Sequence, residues 1–275
     1  MNLYYAFGAG LGHLTRALRV ISTLKISPVT ILTHSPHVSL INNAHVLQPD
    51  NQIYNNSSRL GDWVNEVCDE RAVECIYIDS FPLGVKGELR LPGPLKKVYL
   101  ARLLNWSVYK PFLLEEQVVY ACSYVLETLY AEHQQWLEQC SAQVQGLTLA
   151  PRRHQVNKSI HEMDSPFCLV IHSGPDDEIR QLLHFAREQL TYHRLDFPLW
   201  LACPRCPEVI PCGVKYVNYY PADALIEKAR VVVSAAGFNI MNEMRQYDKP
   251  HWVIPFDRRY DDQFFRLARA RDAKS

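Results

Sequence analysis

The feature that most constrains this chain is a run of short segments apolar at nearly every position, separated by amphipathic stretches. Leu3–Phe7, 29–33 (VTILT), 44–48 (AHVLQ), 75–79 (CIYID), 97–101 (KVYLA) and 117–122 (QVVYAC) are of this kind. A strand with one wet face alternates apolar and polar residues, whereas a strand covered on both faces does not. These segments therefore predict parallel sheet with helices on both faces, joined by right-handed crossovers. His13 to Leu24 predicts such a helix, with Leu14, Ala17, Leu18, Ile21 and Leu24 on its buried stripe, and Leu60 to Arg71 predicts another.

The interval 150–165 is polar, has no apolar period and reads as a linker. The pattern then restarts. Strands are expected at 167–172, 198–203, 214–218, 230–236 and 251–256, and helices at 176–190, 224–229, 239–247 and 261–271. Two βα domains follow, 1–150 and 166–275, which a chain of 275 residues can fill.

Lys plus Arg is 29 and Asp plus Glu is 29, so no basic excess favours duplex nucleic acid, although Arg258–Arg259 is a local basic cluster. No basic region precedes the apolar start and no run approaches the roughly 18 residues of a membrane span, so a soluble cytoplasmic protein is expected. The eight cysteines read as reduced thiols. Cys203 and Cys206 have CxxC spacing but lack the second pair or histidines of a structural zinc site, so no metal is expected.

The first strand runs into Gly8, Gly10, Gly12 and His13, and a helix follows. Glycines admit positive φ and let backbone N–H groups approach a ligand, while a helix start adds unpaired donors and partial positive charge. The spacing is not a dinucleotide fingerprint: His13 stands where its last glycine belongs, and the second strand ends in LTHSP with no ribose-binding carboxylate. The P-loop pattern fails as well, because no Gly-Lys-Ser/Thr follows, and both common nucleotide readings are weakened.

Three stretches resemble a known family. Gly8 to Val20 is similar to the N-terminal glycine-rich loop of GT-B glycosyltransferases, nearest to MurG-like enzymes, which move N-acetylglucosamine from a UDP carrier. Val231 to Gln263 is more specific. It resembles their donor-binding segment, with a strand, a small-residue turn with glycine, a helix bearing a glutamate, then Lys-Pro, a strand and a final acidic residue and glutamine. Tyr77 to Gly84 resembles a strand-end segment of bacterial MurG-like transferases. The resemblance implies two Rossmann-like βαβ domains facing a central cleft, the C-terminal one short, because family members continue through helices beyond the position of Ser275. It implies a hexosyltransferase using a nucleotide-diphosphate sugar, UDP-linked in the family's manner, with no cofactor, no metal and an inverting outcome.

On that reading Gly10, Gly12, Gly237, Phe238 and Asn239 meet the donor diphosphate, as do Ser173 and Gly174, where Pro175 removes one N–H donor. Glu243 would accept from ribose hydroxyls, or be a solvated charge. Asp262 and Gln263 would hold the donor hexose, with helix capping by Asp261 or Asp262 as the plainer role. Backbone groups at Asn218 and Tyr219 would read the base, and Tyr220 reads equally as core. His13 is the base candidate because imidazole titrates near neutrality; a phosphate hydrogen bond is the alternative. Asp79 would orient it, or cap the turn before Phe81 and Pro82. Lysines and arginines of 91–106 imply an anionic or lipid-linked acceptor, a surface-glycan precursor and peripheral membrane contact, or merely a solvated face. Two rivals stand: a degenerate GT-B protein that binds a nucleotide sugar or a partner without turnover, and a nucleotide-sugar epimerase of similar fold.

Overall fold

The continuous apolar runs become parallel strands. The computed structural model describes residues 1–8, 10–41, 44–113, 118–150, 165–218 and 220–272. It divides into two units, Met1–Ala150 with Arg258–Asp262, and Pro151–Asp257 with Gln263–Ser275. Positions 151–164 of the expected linker, and Tyr219, lie outside the described residues.

In the first unit the strands are β1 (Asn2–Tyr5), β2 (Val29–Leu32), β3 (His45–Leu47), β4 (Cys75–Asp79), β5 (Lys96–Ala101), β6 (Cys122–Val125) and β7 (Val144–Gly146). They form one sheet in the order β3-β2-β1-β4-β5-β6-β7, with every pair parallel. Its helices are α1 (Gly12–Leu24), α2 (Asn51–Asn55), α3 (Ser57–Glu70), α4 (Trp106–Tyr109) and α5 (Ala131–Cys140). Leu3, Tyr4 and Tyr5 are all completely buried, as double coverage requires. Leu3, Tyr5, Ile76 and Ile78 pack with Leu60 and Val64 of α3 and Leu137 of α5. Each such aliphatic side chain removed from water contributes about 1.5–3 kcal/mol.

In the second unit β8 (Cys168–Ile171), β9 (Leu199–Ala202), β10 (Val214–Val217), β11 (Val231–Ala235) and β12 (His251–Ile254) pair in parallel in the order β10-β9-β8-β11-β12. Its helices are α6 (Asp176–Tyr192), α7 (Asp223–Lys228), α8 (Phe238–Met244) and α9 (Gln263–Asp272). Among the described residues no helix is long and apolar enough to cross a membrane.

Two expectations are corrected. The strand expected at 117–122 runs instead over Cys122–Val125, in register with Val98–Ala101. Tyr120 makes only an isolated bridge to Ser141, and Gln117 lies outside the described residues. The buried side of α1 is only in part the expected stripe: Leu14 and Ala17 are buried as expected. Leu18, Ile21 and Leu24 are only half-buried, whereas His13, Arg16 and Arg19 are buried. Polar partners make this tolerable: the Arg19 guanidinium donates to the Leu149 and Ala150 carbonyls at 3.3 and 3.4 Å, and Arg16 meets a carboxylate described below.

The strand orders place the chemistry. In open parallel sheets ligands sit at the carboxyl ends of strands where the chain reverses its direction of travel across the sheet. That point is β1/β4 in the first unit and β8/β11 in the second.

Candidate active site

At the β1/β4 switch point the turn after β1 and the end of β4 converge. His13 enters on the first turn of α1, and its Nδ1 lies 2.7 Å from Oδ2 of Asp79, the last residue of β4. The two catalytic candidates named from the sequence therefore form one hydrogen-bonded pair. A third group, Arg16, sits one helical turn beyond His13 on the same face. Its Nε donates to Asp79 Oδ1 at 2.6 Å, and its Nη2 donates to Asp79 Oδ2 at 2.5 Å and to Ser80 Oγ at 2.7 Å. Asp79 is fully buried and Arg16 and His13 are 2% and 9% exposed.

Burial sets the electrostatics. It works against the Asp79 carboxylate, but Arg16 and then His13 outweigh it and hold the group well below the ordinary carboxylate range. Burial first, and the Arg16 charge second, push the His13 imidazole below its usual value despite the opposing pull of Asp79. His13 is accordingly neutral at neutral pH.

The glycines serve different ends. Gly8 has φ +151°, and a Cβ there would stand 2.1, 2.4 and 2.7 Å from Nε2, Cδ2 and Cε1 of His13. Near-equal distances to three ring atoms put that carbon over the ring face, not in line with the Nε2 lone pair. Phe81 also stacks on this ring, with centroids 5.7 Å apart. Gly10, at φ +82°, has open space where a Cβ would stand, and Gly12 is helical. Gly8→Ala is expected to destabilise the fold by about 1–3 kcal/mol and to displace the imidazole. Denaturant unfolding measures the first effect and the histidine side-chain NMR signals the second; an unshifted His13 signal contradicts the packing described here.

The chain between β4 and β5 is held by residues the sequence did not single out. Ser80 has φ +66° and its carbonyl accepts from Tyr99 Oη at 2.7 Å. Glu88, buried, accepts from Tyr5 Oη and from the Lys86 backbone N–H at 2.8 Å. The segment 258–262 packs here too: Arg102 pairs with Asp261 at 3.1 Å, Tyr130 Oη donates to Asp262, and Tyr260 stands edge-on to Phe81.

In the second unit Gly237 precedes α8 and no side chain caps that helix, nor does one cap α1. The space around a Cβ at Gly237 is open, Phe238 is buried, and Asn239 and Glu243 stand four positions apart on one face of α8. Arg266 Nη1 donates to the Ala236 carbonyl at 2.9 Å and fixes the turn. Ser173 is exposed and Gly174 half-buried after β8. Asp176, Asp177 and Glu178 fill the first turn of α6, a poor surrounding for an anion. Asn218 is exposed at the end of β10. Gln263 Oε1 accepts from the Phe256 backbone N–H at 3.0 Å, and Asp262 accepts from Tyr130. Among the described residues no group of three or more His, Cys, Asp or Glu is placed to hold a metal ion.

Solved structures resemble this architecture. No protein-family model and no curated protein sequence matches the chain. The glycosyltransferase SsfS6 of Streptomyces sp. SF2575, solved with thymidine diphosphate, is 15% identical with a TM-score of 0.63, over 99% of this chain and 85% of its own. The spinosyn rhamnosyltransferase SpnG with thymidine diphosphate gives 13% and 0.60, over 98% and 85%. The UDP-GlcNAc 2-epimerase of Neisseria meningitidis with UDP-GlcNAc gives 12% and 0.64, over 98% and 85%. The chain has the GT-B fold. At such identities the likeness extends to the fold alone, and activity rests on the residues.

Proposed function

We propose that this protein is a metal-independent, inverting glycosyltransferase of MurG-like type, moving a hexosyl unit from a UDP-linked sugar to an acceptor hydroxyl. The observation that carries the reading is the buried His13–Asp79 pair at the β1/β4 switch point. Neutral His13 accepts the acceptor's hydroxyl proton; the freed oxygen bonds to the anomeric carbon; the bond from that carbon to the diphosphate breaks, and its electron pair leaves with UDP. Asp79 stabilises the imidazolium that forms. Backbone N–H groups at Gly237, Phe238 and Asn239 receive the diphosphate charge, with Gly10 and Gly12 offering the same in the first unit and Ser173 and Gly174 in a subordinate place. Glu243 takes the ribose hydroxyls, Asp262 and Gln263 the hexose, and Asn218 the base. Support comes from the fold shared with enzymes solved with thymidine diphosphate and with UDP-GlcNAc.

An epimerase reading has one specific support, the TM-score of 0.64 to the 2-epimerase. One experiment separates the readings. Thermal unfolding is followed with UDP, TDP, GDP and their sugars, and each stabilising sugar is then incubated with and without acceptor alcohols and lipid-linked sugars. A ligand at a hundred times its Kd adds about 2.7 kcal/mol. Acceptor-dependent release of UDP is the expected outcome. Conversion of UDP-GlcNAc at C2 without acceptor favours the epimerase, stabilisation without any conversion a binding protein, and no stabilisation by any nucleotide overturns the proposal.

A further inference from the structure

Arg16 satisfies Asp79 and Ser80 together, and the two hydrogens of its Nη2 can be followed to their acceptors. An Nη2 group carries two. Asp79 Oδ2 at 2.5 Å and Ser80 Oγ at 2.7 Å take both. Nη2 also lies 3.0 Å from His13 Nδ1, a longer contact that would have to share one of those two hydrogens. Asp79 Oδ2, 2.7 Å from the same Nδ1, is an acceptor and would face a second lone pair if Nδ1 were bare. Both constraints place the proton on Nδ1 and the lone pair on Nε2.

We propose that Arg16 is a positioning residue that fixes His13 in the Nδ1–H tautomer, so that the lone pair on Nε2 is the one offered to an acceptor hydroxyl. The catalytic meaning rests on the glycosyltransferase reading; the tautomer itself does not. Three charged groups act on the imidazole: Asp79 from β4, Arg16 from its own helix, and Arg102 from the end of β5, the last paired with Asp261. Two of the three are cations, so the ring stays neutral while Asp79 still orients it. A lone carboxylate partner would orient the ring and also favour its protonation. Arg16 separates those two effects. The Tyr4 side chain is buried in contact range of the same charges and is itself held in its neutral form, chiefly by burial.

The test is long-range ¹H–¹⁵N NMR of the histidine side chains in the full chain, with His13→Asn giving the assignment, compared among wild type, Arg16→Lys and Arg16→Gln. Wild type should show Nδ1 protonated and Nε2 bare at neutral pH. Arg16→Gln removes the fork that holds both Asp79 oxygens in place, so the carboxylate can turn from the ring; mixed tautomers and an upward move of the His13 titration should follow. Arg16→Lys, which keeps charge but not the fork, should recover the titration but not the single tautomer. Where turnover is measurable, kcat should fall about 10²-fold in Arg16→Gln, and the acid limb of kcat/KM should move to higher pH. A wild-type Nε2–H tautomer, or variant spectra like wild type, overturns the proposal. If neither variant folds, the wild-type spectrum alone decides. These readings need no substrate, so absence of sugar transfer would strike the functional assignment and leave this one standing.

Discussion

Asp79→Asn is expected to lower kcat by about three to four orders of magnitude, with the fold kept. An asparagine has one acceptor oxygen where Asp79 has two. Arg16 presents Nε and Nη2 to that side chain, and the better oxygen contact goes to the guanidinium. The amide NH₂ then faces His13, which must accept at Nδ1 and carry its proton on Nε2. A base with its lone pair turned inward cannot take the acceptor proton. Asp79→Ala should behave differently. Both variants leave the Arg16 guanidinium, 2% exposed, without its counter-charge, but alanine also takes away the oxygen that asparagine still offers it, and removing one partner of a buried pair outright costs about 3–5 kcal/mol. The alanine variant should therefore lose stability as well as turnover. Steady-state kinetics and urea unfolding of both variants check this; wild-type kcat in Asp79→Asn would remove His13 from the base role.

The second large effect is loss of stability in acid. His133 on α5 is fully buried and stacks on Trp106 with ring centroids 4.0 Å apart. Its Nδ1 has no hydrogen-bond partner among the described residues. Burial pushes its pKa down to about 3. The unfolded chain protonates this histidine near its ordinary value, the folded chain only far below it. More protons are then bound to the unfolded state, so stability falls as pH drops from about 6.5 toward 3, by about 1.4 kcal/mol per pH unit, and no further loss from this group follows below that. His13, also lowered, adds to the slope in the same direction. Asp79 adds its loss at lower pH, from the ordinary carboxylate value down to its own depressed one. His133→Phe keeps the ring stack and deletes the unmet nitrogen. It should leave stability at pH 7 equal or higher and remove roughly 5 kcal/mol of acid loss across the whole window. Urea midpoints from pH 7 to pH 4 test it, and parallel curves for the two proteins would refute it.

The parallel sheets were readable because double burial leaves a plain record: Leu3, Tyr4 and Tyr5 are apolar in succession and all are buried. Three glycines ahead of a helix marked the turn after β1, and Asp79 was visible as the carboxylate ending a strand. Arg16 was not. On a helix an arginine reads as solvated surface, and only a contact 63 positions away reveals its burial. The i, i+3 spacing from His13 was the one local sign. The apolar stripe on α1 misled for the same reason, since buried ion pairing overrode periodicity. Tyr99, Glu88 and His133 were hidden because each is recruited by tertiary packing, which no spacing encodes.

The order of strands carries a last consequence. In the first unit His13, Arg16 and Asp79 gather at the carboxyl ends of β1 and β4. The opposite rim, with its short returns ahead of β2, β4 and β5, holds none of them. Gly93, on one of these returns, has empty space where a side chain would grow. That rim is the natural handle of the molecule, where a dye, a bead or a grafted peptide can be fixed at a distance from the reacting atoms.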